Sequence, residues 1–201
     1  MSEHKGRWSL YETQPSFVLG FHGCDKSVAE KILSGETRHL TASENDYDWL
    51  GNGIYFWESN PQRAVDFANE AANGGKNSRG KIKTPCVIGA VIDLGRCLNL
   101  IDSTALEQVA FGYELLSMIQ SPLPTNGQNL KARRLDCAAI QTLHYYRDHK
   151  DLLHYDTVRG VFWEGEELYP GAGFSEKNHI QICVRNTGCI KGYFRPIEHP
   201  L

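Results

Sequence analysis

The sequence predicts an α+β fold: a β-sheet core with flanking helices and a helical insertion at about residues 104–149. Three observations predict it. Short apolar runs bounded by glycine or polar residues read as strands, at about 17–23, 86–94, 158–163 and 179–185. Between them lie segments with helical spacing and explicit start and stop residues. The order, β-α-loop-β-α-β, then helices, then β-loop-β, is not the alternation of a doubly wound sheet.

Each element has a local reason. FVLGFHG, residues 17–23, is apolar, short and glycine-ended, as a core strand is. DKSVAEKILSGE follows as a helix. Asp25 or Ser27 can cap it, Ser27-x-x-Glu30 fits a capping box, and Gly35 offers a left-handed stop. Residues 41–52 form a polar loop carrying Tyr47 and Trp49, and 53–57 a short strand or turn. Asn60-Pro61 opens a second helix, with asparagine at the cap and proline in the first turn. On it Ala64, Phe67, Ala68 and Ala71 share one face.

Residues 73–80 read as a surface loop. PCVIGAVID is apolar nearly throughout, which predicts a strand buried on both faces. Helices are expected at about 104–120 and 129–149, joined by the turn-rich SPLPTNGQN. Strands at 158–163 and 179–185 enclose a loop rich in glycine and glutamate, and 189–194 adds a last short strand.

At 201 residues the chain fits a single domain, 1–201, able to bury a sizeable core. Its 41% hydrophobic and 22% charged content is that of a soluble globular protein. A net charge of −3 gives no support to non-specific nucleic-acid binding, which needs a cationic surface. Lys131, Arg133 and Arg134 form the one obvious basic cluster. No apolar run reaches membrane-spanning length and the N-terminal stretch is polar, so a cytoplasmic protein without a membrane partner is expected.

The six cysteines show no C-x-x-C pair, and several sit in apolar runs, as buried hydrophobes do in a reducing compartment. His144, His149 and His154 with Cys137 do not make a metal-binding spacing, and no metal is expected. Neither G-x-G-x-x-G after a strand nor G-x-x-x-x-G-K-[ST] occurs, so the common nucleotide-binding loops are absent.

Two motifs stand out. The first strand ends in His22-Gly23, and about thirty residues later comes Gly51-Asn52-Gly53-Ile54-Tyr55-Phe56 before the proline-started helix. This stretch resembles the NAD-binding half of the poly(ADP-ribose) polymerase-like, or diphtheria-toxin-like, ADP-ribosyltransferases. It covers about a quarter of the chain closely, and the rest only in element order.

The resemblance implies an ADP-ribosyltransferase-like split β-sheet and NAD as substrate. It implies that His22 holds a ribose hydroxyl, and that Gly23 binds the nicotinamide amide through its backbone. Tyr55, set by Gly53, stacks on the nicotinamide, with Phe67 the nearest second ring. The family's third motif is a glutamate at the start of a late strand. Its register here falls on Asn178; Glu176 is the first candidate for the catalytic carboxylate and Glu164 the second.

The expected reaction is mono-ADP-ribosylation of a macromolecular target, protein or nucleic acid. By analogy with compact members of the family, a toxin with a partner antitoxin or inhibitor protein is suggested. Two alternatives stay open: an NAD glycohydrolase, and a catalytically silent module that binds NAD or ADP-ribose. An RNA 2′-phosphotransferase is less favoured, since Arg63 is the only basic residue near the second motif.

Overall fold

The computed structural model describes residues 17–74, 82–128 and 131–197. The predicted loop at 73–80 lies largely outside these residues, as does the polar N-terminal stretch. The described chain is α+β. Its strands are β1 (Phe17–Asp25), β2 (Ile54–Glu58), β3 (Pro85–Asp93), β4 (Cys97–Asn99), β5 (Thr157–Phe162), β6 (His179–Val184) and β7 (Ile190–Phe194). They form one mixed sheet in the order β4-β5-β6-β2-β1-β3-β7. Its helices are α1 (Lys26–Leu33), α2 (Pro61–Ala72), α3 (Ser103–Ile119) and α4 (Arg134–His149).

Strand β4 was not expected. At three residues, CLN, it is too short to show a period, and it pairs in parallel with β5. The expected helical region is the α3–α4 pair, with α4 beginning at Arg134 rather than near 129.

The expected split sheet is corrected: all seven strands join in one sheet. Continuity comes from β2, which pairs with β6 from Ile54↔Val184 to Trp57↔Gln181. The seam on its other side is narrow. β1 pairs with β3 along its whole length, from Phe17↔Asp93 to Asp25↔Pro85, but meets β2 only at Gly20↔Glu58 and Phe21↔Trp57.

Helix starts follow local chemistry. Asp25 caps α1, its Oδ1 accepting the Ser27 N–H at 3.0 Å. Its other oxygen accepts the Lys83 and Thr84 N–H groups at 2.8 and 2.9 Å, which ties the start of α1 to the start of β3. The predicted Ser27–Glu30 capping box does not form, because Asp25 takes the cap and Ser27 lies inside the helix; Glu30 pairs with Arg195 at 2.9 Å. Gly35 takes φ +80 just past the helix, as predicted. Asn60 caps α2, accepting the Arg63 N–H at 3.0 Å, and Pro61 occupies the first turn. Ala64, Ala68 and Ala71 then lie buried along one face of α2.

Both sheet faces are covered. On one, Ile54, Phe56, Ile88, Ala90, Ile92, Ile182 and Val184 pack with Ala29 and Ile32 of α1. On the other, α2 covers Phe21 and Trp57 through Ala64 and Phe67. Tyr55 and Trp57 alternate with Phe56 and so share that second face. There Tyr55 packs at the edge of a cluster of Leu50, Leu98, Val158, Phe162 and Cys183, beneath Leu143 of α4. Phe56 is fully buried, and truncating it to alanine would cost about 3–5 kcal/mol. Arg159 of β5 grips Glu58 of β2 with two nitrogens, at 2.5 and 2.9 Å, across the intervening β6.

Candidate functional site

The narrow β1–β2 seam organises the first two motifs. The Leu19 carbonyl accepts the Ser59 N–H at 2.8 Å, on the β2 side of β1. Peptide groups alternate in direction along a strand, so Phe21 and Gly23 turn theirs to the same side. Pairing with β2 ends at Phe21↔Trp57, so the Gly23 N–H and C=O face the seam beyond its last rung.

His22 fills the seam from the side. Its Nδ1 lies 2.7 Å from the Tyr55 carbonyl oxygen, and its ring meets Phe56 edge-on at 5.9 Å. A carbonyl only accepts, so Nδ1 is assigned the proton. Burial lowers the imidazole pKa against the raising effect of that hydrogen bond. The ring is therefore neutral at pH 7, and Nε2 presents a lone pair with no hydrogen-bond partner among the described residues.

Glycine is required at position 23. A Cβ there would stand 2.3 Å from the Ala64 carbonyl oxygen, because α2 lies directly on this peptide. Gly53 is equally confined: a Cβ would meet the Cys183 Sγ at 2.5 Å. Its N–H and C=O exchange hydrogen bonds with Ser43 at 3.0 and 2.8 Å, which fixes the loop entering β2.

Tyr55 is pinned by its hydroxyl. It donates to the Gly51 carbonyl at 2.7 Å and accepts the Leu50 N–H at 2.8 Å. Burial holds the phenol well above its ordinary pKa, so it stays neutral. The half-buried ring thus has a fixed position on the α2 side of the sheet. Phe67 lies against Trp57 instead, with ring centroids 5.1 Å apart.

The β5–β6 connection is a hairpin extension. The Lys177 N–H donates to the Glu164 carbonyl at 2.9 Å and the Glu176 N–H to the Glu166 carbonyl at 3.0 Å. Glu176 is exposed on it. Asn178 is half-buried and accepts the Ser175 N–H through its Oδ1 at 3.1 Å. Glu164 is the carboxylate that turns inward. It accepts from Arg63 Nη2 at 2.7 Å, with side chains 22% and 7% exposed respectively.

The Arg63 guanidinium lies 5.5 Å over the Trp57 ring. Buried His179 donates from Nδ1 to the Lys177 carbonyl at 2.6 Å, and its Nε2 lies 3.0 Å from the Gln181 amide nitrogen. Gln181 stands opposite Trp57 in the β2–β6 register.

The sequence-predicted residues therefore fall in three places. His22, Gly23 and Tyr55 meet at the seam, Phe67 sits on Trp57 beside it, and Glu176 stays on the outside of the hairpin. Arg63 and Trp57 carried no assigned role in the sequence. The available signal was Arg63 in the first turn of α2, one position before the buried Ala64.

Four cysteine thiols are held protonated by burial. It pushes Cys97, Cys137 and Cys189 to about 11 and Cys24 to about 12. Two members of the basic cluster lie over aromatic rings, Arg133 at 4.8 Å over Trp49 and Arg134 at 5.8 Å over Tyr47, and Arg134 also pairs with Asp46 at 3.1 Å. Two shallow clefts, of about 300 and 270 Å³, adjoin Arg185, at His154–Asp156 and at Asn52–Gly53. Among the described residues no helix is long and apolar enough to cross a membrane.

No family model matches the chain. It is 28% identical over 189 aligned residues to an uncharacterized protein of Methanocaldococcus jannaschii, with 85% of this chain and 83% of that protein covered.

Proposed function

We propose that the protein cleaves NAD at the nicotinamide–ribose bond and transfers ADP-ribose to a macromolecular target, protein or nucleic acid. The observation that carries this reading is the seam itself. It offers a glycine peptide beyond the last rung of a ladder and a neutral histidine nitrogen free to accept, and the neighbouring strand carries an aromatic ring pinned by its hydroxyl.

Each group has a task. The Gly23 N–H and C=O match the two sides of a carboxamide, one accepting and one donating. The Tyr55 face meets the cationic nicotinamide ring. His22 Nε2 accepts from a ribose hydroxyl. When the C1′–N bond breaks, its electron pair leaves with nicotinamide and C1′ becomes cationic. A carboxylate stabilises that charge. The acceptor then bonds to C1′ and gives up its proton to solvent. Of the two candidate carboxylates, Glu164 is the better placed, because it already lies inside against Arg63 while Glu176 faces solvent.

The target would meet the hairpin between β5 and β6, where Trp163, Leu168, Tyr169 and Phe174 are exposed apolar groups. A toxin restrained by a partner antitoxin would use the same surface. With water as the acceptor, the same site is an NAD glycohydrolase. One observation favours a silent NAD-binding module: Asn178, at the strand start, is neutral and committed to Ser175. Mass spectrometry separates these readings. An ADP-ribose adduct on a lysate component supports transfer, NAD loss without adduct supports hydrolysis, and saturable binding without loss supports the silent module.

A further inference from the structure

Three buried nitrogen donors beside the seam lack hydrogen-bond partners among the described residues: Trp57 Nε1, Arg63 Nε and Arg63 Nη1. Trp57 is 7% exposed and Arg63 6%. Buried donors are normally paired, and three together in one spot call for an explanation. The guanidinium lying over the indole face gains cation–π attraction, but that contact leaves the in-plane indole N–H unserved. All three groups donate and none accepts, so a matching guest brings acceptor oxygens.

The surroundings set its charge. Arg63 sits in the first turn of α2, where the helix dipole favours an anion. Lys177 is nearby but paired with Glu70 at 2.8 Å, and His179 is held neutral by burial. The one anion now on Arg63 is Glu164, through Nη2 alone. Moving Glu164 aside frees the Nε–Nη2 edge, which takes two phosphate oxygens side by side.

We infer that Arg63 and Trp57 form a seat for the pyrophosphate of NAD, closed in the free protein by Glu164. This rests on the NAD reading of the site. Binding exchanges one anion for another at Arg63 and releases the Glu164 carboxylate toward the reacting ribose. The seat thereby couples cofactor arrival to freeing of the carboxylate.

The test uses the full chain with ¹⁵N-labelled tryptophan and ADP-ribose as the probe, so that no turnover is needed. The Trp57 indole resonance, assigned by its loss in Trp57→Phe, is expected to shift on titration. Affinity for ADP-ribose is expected to fall about 10- to 100-fold in Arg63→Met, as for a lost charged hydrogen bond. Arg63→Lys should recover part of it. Trp57→Phe keeps the ring and loses only the N–H, and should weaken binding by about 3- to 10-fold. It carries the test if Arg63→Met fails to fold by thermal melting.

ADP-ribose that binds with the indole unmoved, or equally well to Arg63→Met, overturns the seat. So does failure of ADP-ribose to bind, or an indole shift caused by a short RNA and not by ADP-ribose. If ADP-ribose binds through Arg63 and no nicotinamide is ever released from NAD, the seat stands and the cleavage reading falls.

Discussion

The Nδ1 of His22 lies 2.7 Å from the carbonyl oxygen of Tyr55, so the side chain of the first motif is bonded to the backbone of the second. The bond occupies the place where the β1–β2 ladder has stopped, after Phe21↔Trp57. It fixes the tautomer that leaves Nε2 as an acceptor. The two motifs are therefore one structural unit, and disturbing either is expected to disturb both.

Substitution of His22 by alanine removes that bond and the free acceptor together. NAD affinity should fall by about tenfold or more, judged by one to two lost hydrogen bonds at a half-buried site. The wild-type pH profile carries a further expectation. Burial lowers the His22 pKa below 6.5, so the neutral, accepting form persists below that value. NAD affinity should stay flat from pH 8 to 6.5 and decline only at lower pH. A profile already falling above pH 6.5 would contradict the assigned state.

Two variants separate the ring of Tyr55 from its hydroxyl. Tyr55→Phe keeps the ring and loses the bonds to Gly51 and Leu50, so stability should drop by about 1–2 kcal/mol while NAD still binds. Tyr55→Ala removes the stacking face and should abolish NAD binding. Thermal melting and calorimetric titration of both variants check this. Equal loss of binding in the two would mean that the hydroxyl, not the ring, serves the ligand.

Gly23→Ala places a methyl group 2.3 Å from the Ala64 carbonyl oxygen, a backbone atom in the second turn of α2. The helix must move off the sheet, at a cost of about 1–3 kcal/mol or more. Lower melting temperature together with lost NAD binding is expected. A variant that melts like the wild type would show that α2 does not press on this peptide.

The sequence exposed most of the elements because their signals are local. Asn60-Pro61 marks the start of α2 and Gly35 the stop after α1, and both hold in the structure. What depends on long-range competition was hidden. Ser27-x-x-Glu30 fits a capping box by spacing, yet Asp25, held also by the Lys83 and Thr84 N–H groups far along the chain, takes the cap. The single sheet could not be told from a split one, since that is decided by how far β2 pairs along β6. At the candidate site, His22-Gly23 and Tyr55 stood out by glycine and aromatic spacing, and a hydrogen bond from His22 to the Tyr55 carbonyl brings them together. The Arg63–Glu164 pair joins residues 101 apart in sequence and has no local signature.

A buried histidine away from the seam is expected to contribute to acid sensitivity. His144 is 3% exposed with neither ring nitrogen hydrogen-bonded among the described residues, and burial, with Arg185, Arg147 and His154 nearby, lowers its pKa to about 3. The unfolded chain takes up this proton as pH falls through about 6.5, whereas the folded chain resists it until about 3. Stability should therefore decline across that window, by about 2 kcal/mol from this group at pH 5. Denaturant melts of the wild type and His144→Leu at pH 7 and pH 5 check it. The variant should lose less stability on acidification than the wild type, and an equal loss would remove His144 as the cause.

The most direct measurement is nicotinamide release from NAD by the purified chain, with and without lysate, beside Tyr55→Ala, Glu164→Gln and Glu176→Gln. Release that vanishes in Tyr55→Ala, falls steeply in Glu164→Gln and survives in Glu176→Gln is the predicted result. Release lost only in Glu176→Gln would return the carboxylate role to the hairpin's outer side. No release under any condition, with NAD bound throughout, would contradict the account and leave a binding module.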